Sequence, residues 1–399
     1  MFRPFRPVRC ALFLAALAGA LSSQALPVPP DPFSIVHGPY LQNPSSTSMT
    51  VIWFTSRPAV GWVEYAPADN FQTFPNFGGL VSTARSVRNG LVDANETRHL
   101  VRIAGLVPGK RYRYRVLAKE VRQFEPYEVL YGGTATGDIH EFRTLDPGKA
   151  AFRFQVFQDL RGDVAQLGGL FQLAGWETSD LFFFNGDTMD SLKDEAAVFN
   201  GFLDFSVGRF AANIPFIYVR GNHDARGAMA RQLDEFFPPR DGRFYGSFDH
   251  GPVHFIVMDG GEDKPDDAPV YAGPADFDRY RQEQGEWLKT EIRTDAFKKA
   301  VFRVAIIHFP LYRKGFTPEQ LTRLWGPLFN EGGLDVVLSG HEHRLYRVDP
   351  EAGKNAFPVL GAPRGALIRA DVTPAALDLK IIDIKGTTLD SLVLPAPKR

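Results

Sequence analysis

The sequence predicts an all-β sandwich followed by an α/β domain, in a chain of 399 residues. Short alternating runs separated by turn residues occupy the first third of the chain, which is typical of a sandwich. Longer apolar runs separated by helical stretches occupy the rest, which is typical of an α/β domain. The turn Asp146-Pro147-Gly148 lies between the two patterns. Since the chain is too long for one ordinary core, we expect at least two domains, over 33–146 and 150–394.

Residues 1–25 have the pattern of a secretory signal peptide. Three arginines precede an apolar run over residues 11–21, and Ser23-Gln24-Ala25 resembles a cleavage site. The alternative is a retained membrane anchor, but the apolar run is shorter than the ~20 residues that a spanning helix needs. We therefore predict a secreted or periplasmic protein whose mature chain has no membrane span.

The amino-acid composition and net charge limit the classes of protein to which this chain can belong. Hydrophobic residues make up 44% and charged residues 23% of the chain, as in a globular protein. The single cysteine, Cys10, lies in the predicted signal, so the mature chain has no disulfide and no thiolate metal ligand. Removing residues 1–25 takes away three arginines and no acidic residue, which moves the formal net charge from −1 to −4. We expect no nucleic-acid-binding patch.

The N-terminal part contains several runs with strand periodicity. They are 49–54, 61–65, 99–103, 111–117 and 140–143. The segment Leu106-Val107-Pro108-Gly109, followed by alternating Tyr112, Tyr114 and Val116, resembles a turn and strand of a fibronectin type III module. The stretch 38–42, which leads to Trp53, strengthens this resemblance. Residues 71–95 lack clear periodicity, and we treat them as a long excursion from the sandwich.

The C-terminal part alternates apolar runs with stretches of helical spacing. The predicted buried strands are 152–157, 181–184, 216–219, 301–307 and 334–338. The predicted helices are 164–174, 194–211, 226–237, 276–297 and 317–330, with Asp194 and Thr317 as caps. Residues 365–394 are predicted to form a terminal antiparallel meander.

Each predicted buried strand is followed by side chains that can bind a metal ion. They are Asp159, Gly186-Asp187, Gly221-Asn222-His223-Asp224, His308 and Gly340-His341-Glu342-His343. Taken singly, an aspartate after a strand is a common helix cap, and a lone histidine is commonly structural. Ligands in α/β sheets bind beyond the carboxyl ends of the strands, so these residues are predicted to meet in one site. A glycine before the ligand permits the sharp turn that aims it.

The Gly-Asn-His-Asp and Gly-His-Glu-His motifs resemble those of the calcineurin-like metallophosphoesterase superfamily, which includes purple acid phosphatases. The resemblance covers about residues 150–394, and a fibronectin-like domain in front is the arrangement of purple acid phosphatases. It implies a four-layer α/β sandwich. It also implies hydrolysis of phosphate esters by a metal-bound hydroxide at a dinuclear site.

The resemblance further implies a set of ligands for two divalent or trivalent ions, which would be iron, manganese or zinc. Asp187 would bridge both ions, while Asn222, His308 and His341 would complete one of them. The other ion would be bound by Asp159 and His343.

The same resemblance implies a catalytic role for His223. This histidine would approach the substrate and either stabilise developing charge or protonate the leaving oxygen, and Asp224 would orient its ring.

Two residues depart from the family pattern. Arg161 stands where the family's Asp-x-His pattern has a ligand, and a guanidinium cannot coordinate a metal. Asp190 stands where purple acid phosphatases have a metal-binding tyrosine, so we expect no tyrosinate colour. Water, Asp190 or Asp163 could complete the ion at Asp159, or that ion could bind weakly and leave a one-metal enzyme. Arg161 could instead pair with Asp159 or contact a substrate phosphate, and the sequence leaves these possibilities open.

We therefore predict an enzyme that acts on a phosphorylated small molecule or another phosphoester, with the sandwich forming a wall beside the cleft. The alternative function is a catalytically weakened metal-binding protein that acts as an extracytoplasmic binding or adhesion module, and Arg161 is its best support.

Several nearby residues are predicted to be structural. His250 and His254 flank a predicted hairpin turn, and we expect packing or surface roles for them rather than metal binding. Arg226, Arg231 and Arg344 lie near the motif loops, and we expect solvent-exposed charges, with phosphate contact as the alternative.

Overall fold

The computed structural model describes residues 31–68, 81–173, 175–313, 315 and 318–398. The predicted signal segment 1–25, residues 71–80 of the excursion and the Thr317 cap lie outside the described residues. Residues Phe33–Arg399 form one compact unit. No helix in the described ranges is long and apolar enough to cross a membrane.

The strands are numbered in chain order. They are β1 Ile35–Gln42, β2 Ser48–Pro67, β3 Ser82–Ala84, β4 Val87–Arg88, β5 Leu91–Val92, β6 Glu96–Ala104, β7 Arg111–Glu125, β8 Glu128–Thr136, β9 His140–Arg143, β10 Phe152–Phe157, β11 Leu181–Asn185, β12 Phe216–Val219, β13 Gly246–His250, β14 Val253–Met258, β15 Phe302–Ile307, β16 Val336–Ser339, β17 Tyr346–Val348, β18 Val359–Gly361, β19 Ala366–Val372, β20 Ala376–Asp383 and β21 Thr388–Pro395.

The α-helices are numbered in the same way. They are α1 Val164–Leu173, α2 Glu195–Val198, α3 Asp204–Ser206, α4 Leu233–Phe236, α5 Phe277–Glu291, α6 Asp295–Lys299 and α7 Glu319–Gly332. The predicted helix 194–211 is a continuous helical run in which π-helical turns alternate with α2 and α3. Asp194 caps this run as predicted, because its side chain accepts a hydrogen bond from Ala197 N at 2.9 Å.

The N-terminal domain is built around the long strand β2. Two predicted strands, 49–54 and 61–65, are parts of this single strand. Its first half pairs with β1 and β6, whereas its second half pairs with β7, which also pairs with β8 and β9. Because β2 serves two sets of partners, the strands enclose a core around Trp53 and Tyr114.

Two six-stranded sheets form the C-terminal domain. The first has the order β12-β11-β10-β19-β20-β21, and the second has the order β13-β14-β15-β16-β18-β17. Strands β10, β11 and β12 are parallel, as are β14, β15 and β16. The predicted meander is confirmed, since β19, β20 and β21 are antiparallel and β19 pairs with β10. The predicted hairpin at His250 and His254 is also present, but its strand β14 is a wholly buried core strand as well.

The two sheets pack face to face with helices on their outer sides. Phe154 and Phe183 of the first sheet contact Phe255 of the second, with ring centroids 5.1 and 5.3 Å apart. Helix α1 and the helical run pack on the outer face of the first sheet. Helices α5 and α7 pack on the outer face of the second. This arrangement is the predicted four-layer sandwich, and it brings the carboxyl ends of both sets of parallel strands to one edge.

The N-terminal domain contacts the amino-terminal end of β12. Gln42 donates to Phe216 O at 3.0 Å, and Tyr114 donates to Ala212 O at 2.7 Å. The candidate metal site follows the opposite end of β12. Other contacts reach the segment that follows the Gly-Asn-His-Asp loop, where Phe236 O accepts from Tyr40 and Glu235 O accepts from Arg98. The wall beside the cleft stays a prediction.

Candidate metal centre

Side chains from the loops after four parallel strands, β10, β11, β15 and β16, lie close together. Two groups of potential ligand atoms form there, and within each group all atoms lie within 4.8 Å of one another. One group contains Asp187, His308 and His341, and the other contains Asp159, Asp187 and His343. Asp187 belongs to both groups. This is the position that the resemblance implies for a carboxylate shared by two ions.

The centre contains buried polar atoms that have no hydrogen-bond partner. They are Asp159 Oδ1, Asp187 Oδ2, Asn222 Oδ1, His308 Nε2 and His341 Nδ1. A buried polar atom without a partner is costly, because it has lost its hydrogen bonds to water. Each of these atoms is an oxygen or imidazole nitrogen of the kind that binds iron, manganese or zinc. The donor set therefore fits metal ions, and the loop that carries Asn222 contacts Asp187, because His223 N donates to Asp187 Oδ1 at 2.9 Å.

His308 is held in a single orientation between Asn185 and Asp187. Its Nδ1 donates to Asn185 O at 2.8 Å, so Nε2 faces Asp187 Oδ1 at 3.3 Å. Metal-binding histidines are commonly oriented by such a carbonyl. Burial lowers the pKa of His308, but the carboxylate of Asp187 outweighs it, and the pKa rises to about 9. The electrostatic potential at Nε2 therefore favours a positive charge.

Asp159 connects the loop after β10 to the Gly-His-Glu-His loop. Its Oδ2 accepts a hydrogen bond from His341 N at 3.0 Å, and its Oδ1 lies 3.3 Å from His343 Nε2. Burial, together with His308, lowers the pKa of His341 to about 4, which keeps that ring neutral and able to bind a metal. Arg313 forms an ion pair with the buried Glu342 and so stabilises the Gly-His-Glu-His loop.

The backbone of the centre is strained. Positive φ angles, uncommon for residues other than glycine, occur at several of its members, namely Asp159, Arg161, Asp187, His341 and His343. Such conformations cost about 1–3 kcal/mol each and cluster at functional sites. They persist here because the surrounding backbone hydrogen bonds fix the loops. For example, Arg161 N donates to Asp187 O at 2.9 Å.

The glycines before the candidate ligands have two different roles. Gly186 has φ +80°, as the predicted sharp turn requires. Gly221 lacks a positive φ, and its role is to leave space: a Cβ there would lie 2.3 Å from Asp187 N and 2.5 Å from Asp187 Oδ1. The Gly-Asn-His-Asp loop thus depends on close approach to Asp187 rather than on a turn at its glycine.

His223 lies beside the centre between two arginines. Its Nδ1 is 2.7 Å from Asp190 O, and Arg226 Nη1 is 3.0 Å from its Nε2. Arg161 Nη1 also lies 2.8 Å from Nδ1, and because an arginine can only donate, each ring nitrogen of His223 faces a donor. Burial is the main cause that lowers the pKa of His223, which favours the neutral ring.

The predicted role of Asp224 in orienting the His223 ring is wrong. Asp224 accepts hydrogen bonds from Gly221 N at 2.8 Å and Met189 N at 3.2 Å. Its carboxylate therefore ties the loop after β12 to the loop after β11, and Asp190 O orients the ring instead. Burial, together with Asp187, raises the pKa of Asp224 to about 7.

Arg161 lies inside the centre, with its side chain 18% exposed. Its Nη2 is 3.0 Å from Asp187 Oδ2 and 3.5 Å from His343 Nε2. The approach to Asp187 has ion-pair distance without hydrogen-bond geometry, so we describe it as an ion pair. Of the two aspartates at the centre, the guanidinium is thus paired with Asp187, whereas the pair that the sequence suggests is one with Asp159.

Asp163 and Asp190, the two carboxylates that the sequence offers for completing the second ion, have defined positions. Asp163 accepts a hydrogen bond from Gln166 N at 2.9 Å in the first turn of α1, so it acts as a helix cap. Asp190 is 76% exposed, and its Oδ1 lies 3.3 Å from Arg161 Nη1.

The prediction that Arg226 is a solvated charge is wrong. Its guanidinium contacts His223, as described above, and forms ion pairs with Glu262 at 2.7 Å and Asp263 at 3.0 Å. Glu262 also accepts a hydrogen bond from Tyr271. Glu262 carries no periodic or motif signal in the sequence. Its only cue is a position in the Asp-Pro-rich loop after β14.

Arg231 and Arg344 are less buried than Arg226. Arg231 donates to Pro274 O at 3.2 Å in an exposed contact, and Arg344 is exposed, as predicted.

The two hairpin histidines are buried and structural, as predicted. His250 Nδ1 accepts a hydrogen bond from Asp146 N at 3.1 Å. His254 lies between Asp249 and Glu291, at 2.7 and 3.0 Å. Both lie outside the two groups of potential ligands.

Comparison with known proteins gives two family matches. The calcineurin-like phosphoesterase family matches residues 134–345, and the purple acid phosphatase N-terminal domain matches residues 37–144. The second match identifies the N-terminal domain as a purple acid phosphatase N-terminal domain. Its fibronectin type III character stays a prediction.

Individual relatives are distant. The human serine/threonine-protein phosphatase CPPED1 is 27% identical over 140 residues, which are 33% of this chain and 42% of that protein. Purple acid phosphatase 18 of Arabidopsis thaliana is 22% identical over 249 residues, which are 55% of this chain and 50% of that protein. The chain therefore spans about half the length of the curated relatives that it matches.

The fold is that of a solved purple acid phosphatase. The structure of the enzyme PPD1 from yellow lupin seeds superposes with a TM-score of 0.68 at 15% identity, over 91% of this chain and 74% of that chain. The first family match covers more than half of the sequence and includes all of the candidate ligands. This chain therefore belongs to the calcineurin-like phosphoesterase family and carries a purple acid phosphatase N-terminal domain in front of the α/β domain.

Proposed function

We propose that this chain hydrolyses phosphate esters with two metal ions. Asp187, Asn222, His308 and His341 would hold one ion, and Asp159, Asp187 and His343 the other. The observation that carries the proposal is the set of buried oxygen and nitrogen atoms around Asp187 that have no hydrogen-bond partner. Carboxylate, amide and imidazole donors suit iron, manganese and zinc.

When bound, such ions turn water into a hydroxide nucleophile at neutral pH and neutralise charge on the phosphoryl oxygens. The other tasks fall to the chain's own residues. The guanidinium groups of Arg161 and Arg226 lie on either side of His223, and both offer donors to a phosphate group. The site therefore combines candidate ligands with fixed positive charge, a combination that suits a phosphorylated substrate.

His223 is the proposed catalytic residue. Its Nε2 lies 3.0 Å from Arg226 Nη1. Two roles fit this position: the ring stabilises charge, or it protonates the leaving oxygen after Arg226 moves onto the phosphate. Asp224 acts through the loop backbone by holding Gly221 in contact with Asp187.

Asp190 in place of the purple acid phosphatase tyrosine supports a colourless enzyme. Its exposed carboxylate points towards Arg161 rather than forming part of either ligand group. The names of the relatives, a serine/threonine-protein phosphatase and purple acid phosphatases, support a phosphate ester as substrate. They support a phosphoprotein and a small phosphorylated molecule equally.

A direct assay tests this proposal. The purified protein is stripped with a chelator, reloaded separately with manganese, zinc or iron, and offered a nitrophenyl phosphate monoester and diester. We expect turnover with at least one metal, none in the stripped protein, and none in an Asp187→Ala variant. If no metal gives turnover while the protein still binds metal, the result would favour an extracytoplasmic binding or adhesion module.

We also place this activity outside the cytoplasm, because residues 1–25 have the sequence of a signal peptide. Sequencing the amino terminus of the exported protein tests this. We expect the mature chain to begin near Leu26.

A further inference from the structure

The two oxygens of Asp187 face different neighbours. Oδ1 lies 3.3 Å from His308 Nε2 and accepts a hydrogen bond from His223 N at 2.9 Å. Oδ2 lies 3.0 Å from Arg161 Nη2. The guanidinium therefore stands on the side of the shared carboxylate that faces away from His308.

Arg161 also contacts a member of the second ligand group. Its Nη2 lies 3.5 Å from His343 Nε2, and that nitrogen is 3.3 Å from Asp159 Oδ1. Two of the three donors in the group of Asp159, Asp187 and His343 thus have Arg161 as a neighbour. The positive charge of Arg161 therefore lies next to Asp187 Oδ2 and His343 Nε2, which the second ion would need as ligands.

The backbone holds Arg161 in this place. The loop after β10 is joined to the loop after β11 by hydrogen bonds from Arg161 N to Asp187 O and from Gly162 N to Thr188 O, both 2.9 Å long. Arg161 is itself at φ +53°. These bonds fix the Cα, so only the side chain can leave Asp187.

The guanidinium has two further neighbours besides Asp187 and His343, and the nearer is His223, whose Nδ1 lies 2.8 Å from Arg161 Nη1. Arg161 Nη1 lies 3.3 Å from Asp190 Oδ1, and the Asp190 side chain is 76% exposed and can follow the guanidinium outwards. Arg161 Nε is buried and has no hydrogen-bond partner. A phosphate group offers the paired acceptors that an arginine fork binds best, so phosphate is a better partner for Arg161 than its present contacts.

We propose that Arg161 makes the two ion positions unequal and couples the weaker one to phosphate. Arg161 and the second ion compete for Asp187 Oδ2 and His343 Nε2, so the second ion binds weakly while Arg161 is in place. A phosphate group draws Arg161 away, and this releases both atoms for the ion. The coupling is reciprocal, because an ion in the second position equally frees Arg161 for phosphate. This inference rests on the proposed metal site and names how it is regulated.

Calorimetric titration of the stripped protein with Mn²⁺, with and without inorganic phosphate, tests this proposal. For the unmodified protein we expect one tight site and a second at least about tenfold weaker, and phosphate is expected to strengthen the second at least about tenfold. Titrating phosphate into buffer containing Mn²⁺ corrects for their direct association. Electron paramagnetic resonance supplies a second readout: at a Mn²⁺ concentration too low to fill the second site by itself, signals of a coupled manganese pair should appear only after phosphate is added.

The variant Arg161→Gln removes the competing charge. We expect its two Mn²⁺ sites to differ by less than about threefold without phosphate, and phosphate to have little effect on the second. Arg231→Gln is the control that removes the same charge: Arg231 is an exposed arginine after β12 that donates to Pro274 O and is not among the residues proposed to bind metal or phosphate. We expect this control to keep the unequal sites and the phosphate effect.

The outcomes separate this proposal from the proposed function. Two equally tight sites in the unmodified protein, or a second site that phosphate does not strengthen, would overturn the role of Arg161 and leave the metal site intact. No Mn²⁺ binding at all would overturn both. The titration of the unmodified protein decides the question even if Arg161→Gln does not fold.

Discussion

At the scale of single residues, His223 is the clearest test of the chemistry. It lies beside the candidate ligands without belonging to either group, so its removal should affect turnover and leave metal binding intact. We expect His223→Ala to lower kcat about 10²–10⁴-fold, the usual contribution of a positioned acid or base. Steady-state kinetics together with metal analysis checks this. Full turnover with full metal content would remove His223 from the catalytic residues and keep the metal site.

His254 provides a residue-scale prediction about stability. Burial lowers the pKa of His254, but the nearby carboxylates of Asp249 and Glu291 outweigh burial, so the pKa is raised in the folded protein. A raised pKa means that the protonated ring stabilises the fold below its unfolded pKa of about 6.5, and that this stabilisation is lost as the pH rises through the folded value.

The variant His254→Gln should therefore lose more stability in acid than in alkali. We expect the difference in free energy of unfolding between the unmodified protein and this variant to be largest near pH 6 and to shrink as the pH rises. Urea unfolding at several pH values measures it. A difference that stays constant or grows with pH would show that the charged pair does not stabilise the fold.

At the scale of elements, the loops after the strands determine the geometry of the site. Gly186 combines φ +80° with crowding, because a Cβ there would lie 2.3 Å from His308 Nδ1. Gly353 has nearly the same φ, +77°, but nothing lies within 4 Å of its Cβ position. Alanine substitutions at Gly186 and Gly353 therefore separate the free-energy cost of a left-handed backbone from the cost of a steric clash.

We expect Gly186→Ala to lose metal binding and to destabilise the protein more than Gly353→Ala does. Both variants carry the left-handed penalty of about 1 kcal/mol, and only the first adds overpacking of about 1–3 kcal/mol. Thermal unfolding and Mn²⁺ titration measure the two effects. Equal losses in both variants would mean that the packing of Gly186 against His308 is not what positions the histidine.

The sequence predicts the elements that carry simple periodic patterns and misses those that tertiary contacts create. The buried strands before Asp159, Asp187 and Asn222 are predicted to within about a residue because their runs are uniformly apolar. Strand β14 has the same character, but His254 and the short turn before it indicate only a hairpin. The single long strand β2 is predicted as two, since the polar residues in its middle interrupt the alternation.

The sequence likewise predicts only part of the candidate site. The motifs predict which side chains meet, because strand order and strand ends determine that. They do not predict how each side chain is held: the Asp224 carboxylate binds backbone amides rather than a ring, and Arg226 pairs with Glu262 from a distant loop. Those contacts depend on the packing of loops, for which the sequence carries no periodic signal.

At the scale of the whole molecule, the N-terminal domain and the first sheet share one core. Phe54 of β2 contacts Phe199 of the helical run and Phe236 of α4, with ring centroids 5.0 and 5.9 Å apart. Tyr40 donates to Phe236 O at 2.7 Å. Because these contacts are buried, we expect the two parts to unfold together.

Calorimetry tests this coupling. We expect one thermal transition for the unmodified protein, and Phe54→Ala should lower the free energy of unfolding by about 3–5 kcal/mol while keeping a single transition. Phe124→Ala is the control, since this phenylalanine is 50% exposed and its loss should cost less than about 0.5 kcal/mol. Two separate transitions would show that the parts are held together only loosely.

The central claim is that one shared carboxylate, Asp187, organises a metal site from six side chains. Crystals grown with Mn²⁺ and measured at the manganese absorption edge test it most directly. We predict an anomalous peak bounded by Asp187, Asn222, His308 and His341. With phosphate present, we predict a second peak beside Asp159 and His343. Manganese bound elsewhere, or these side chains turned away from any peak, would contradict the account.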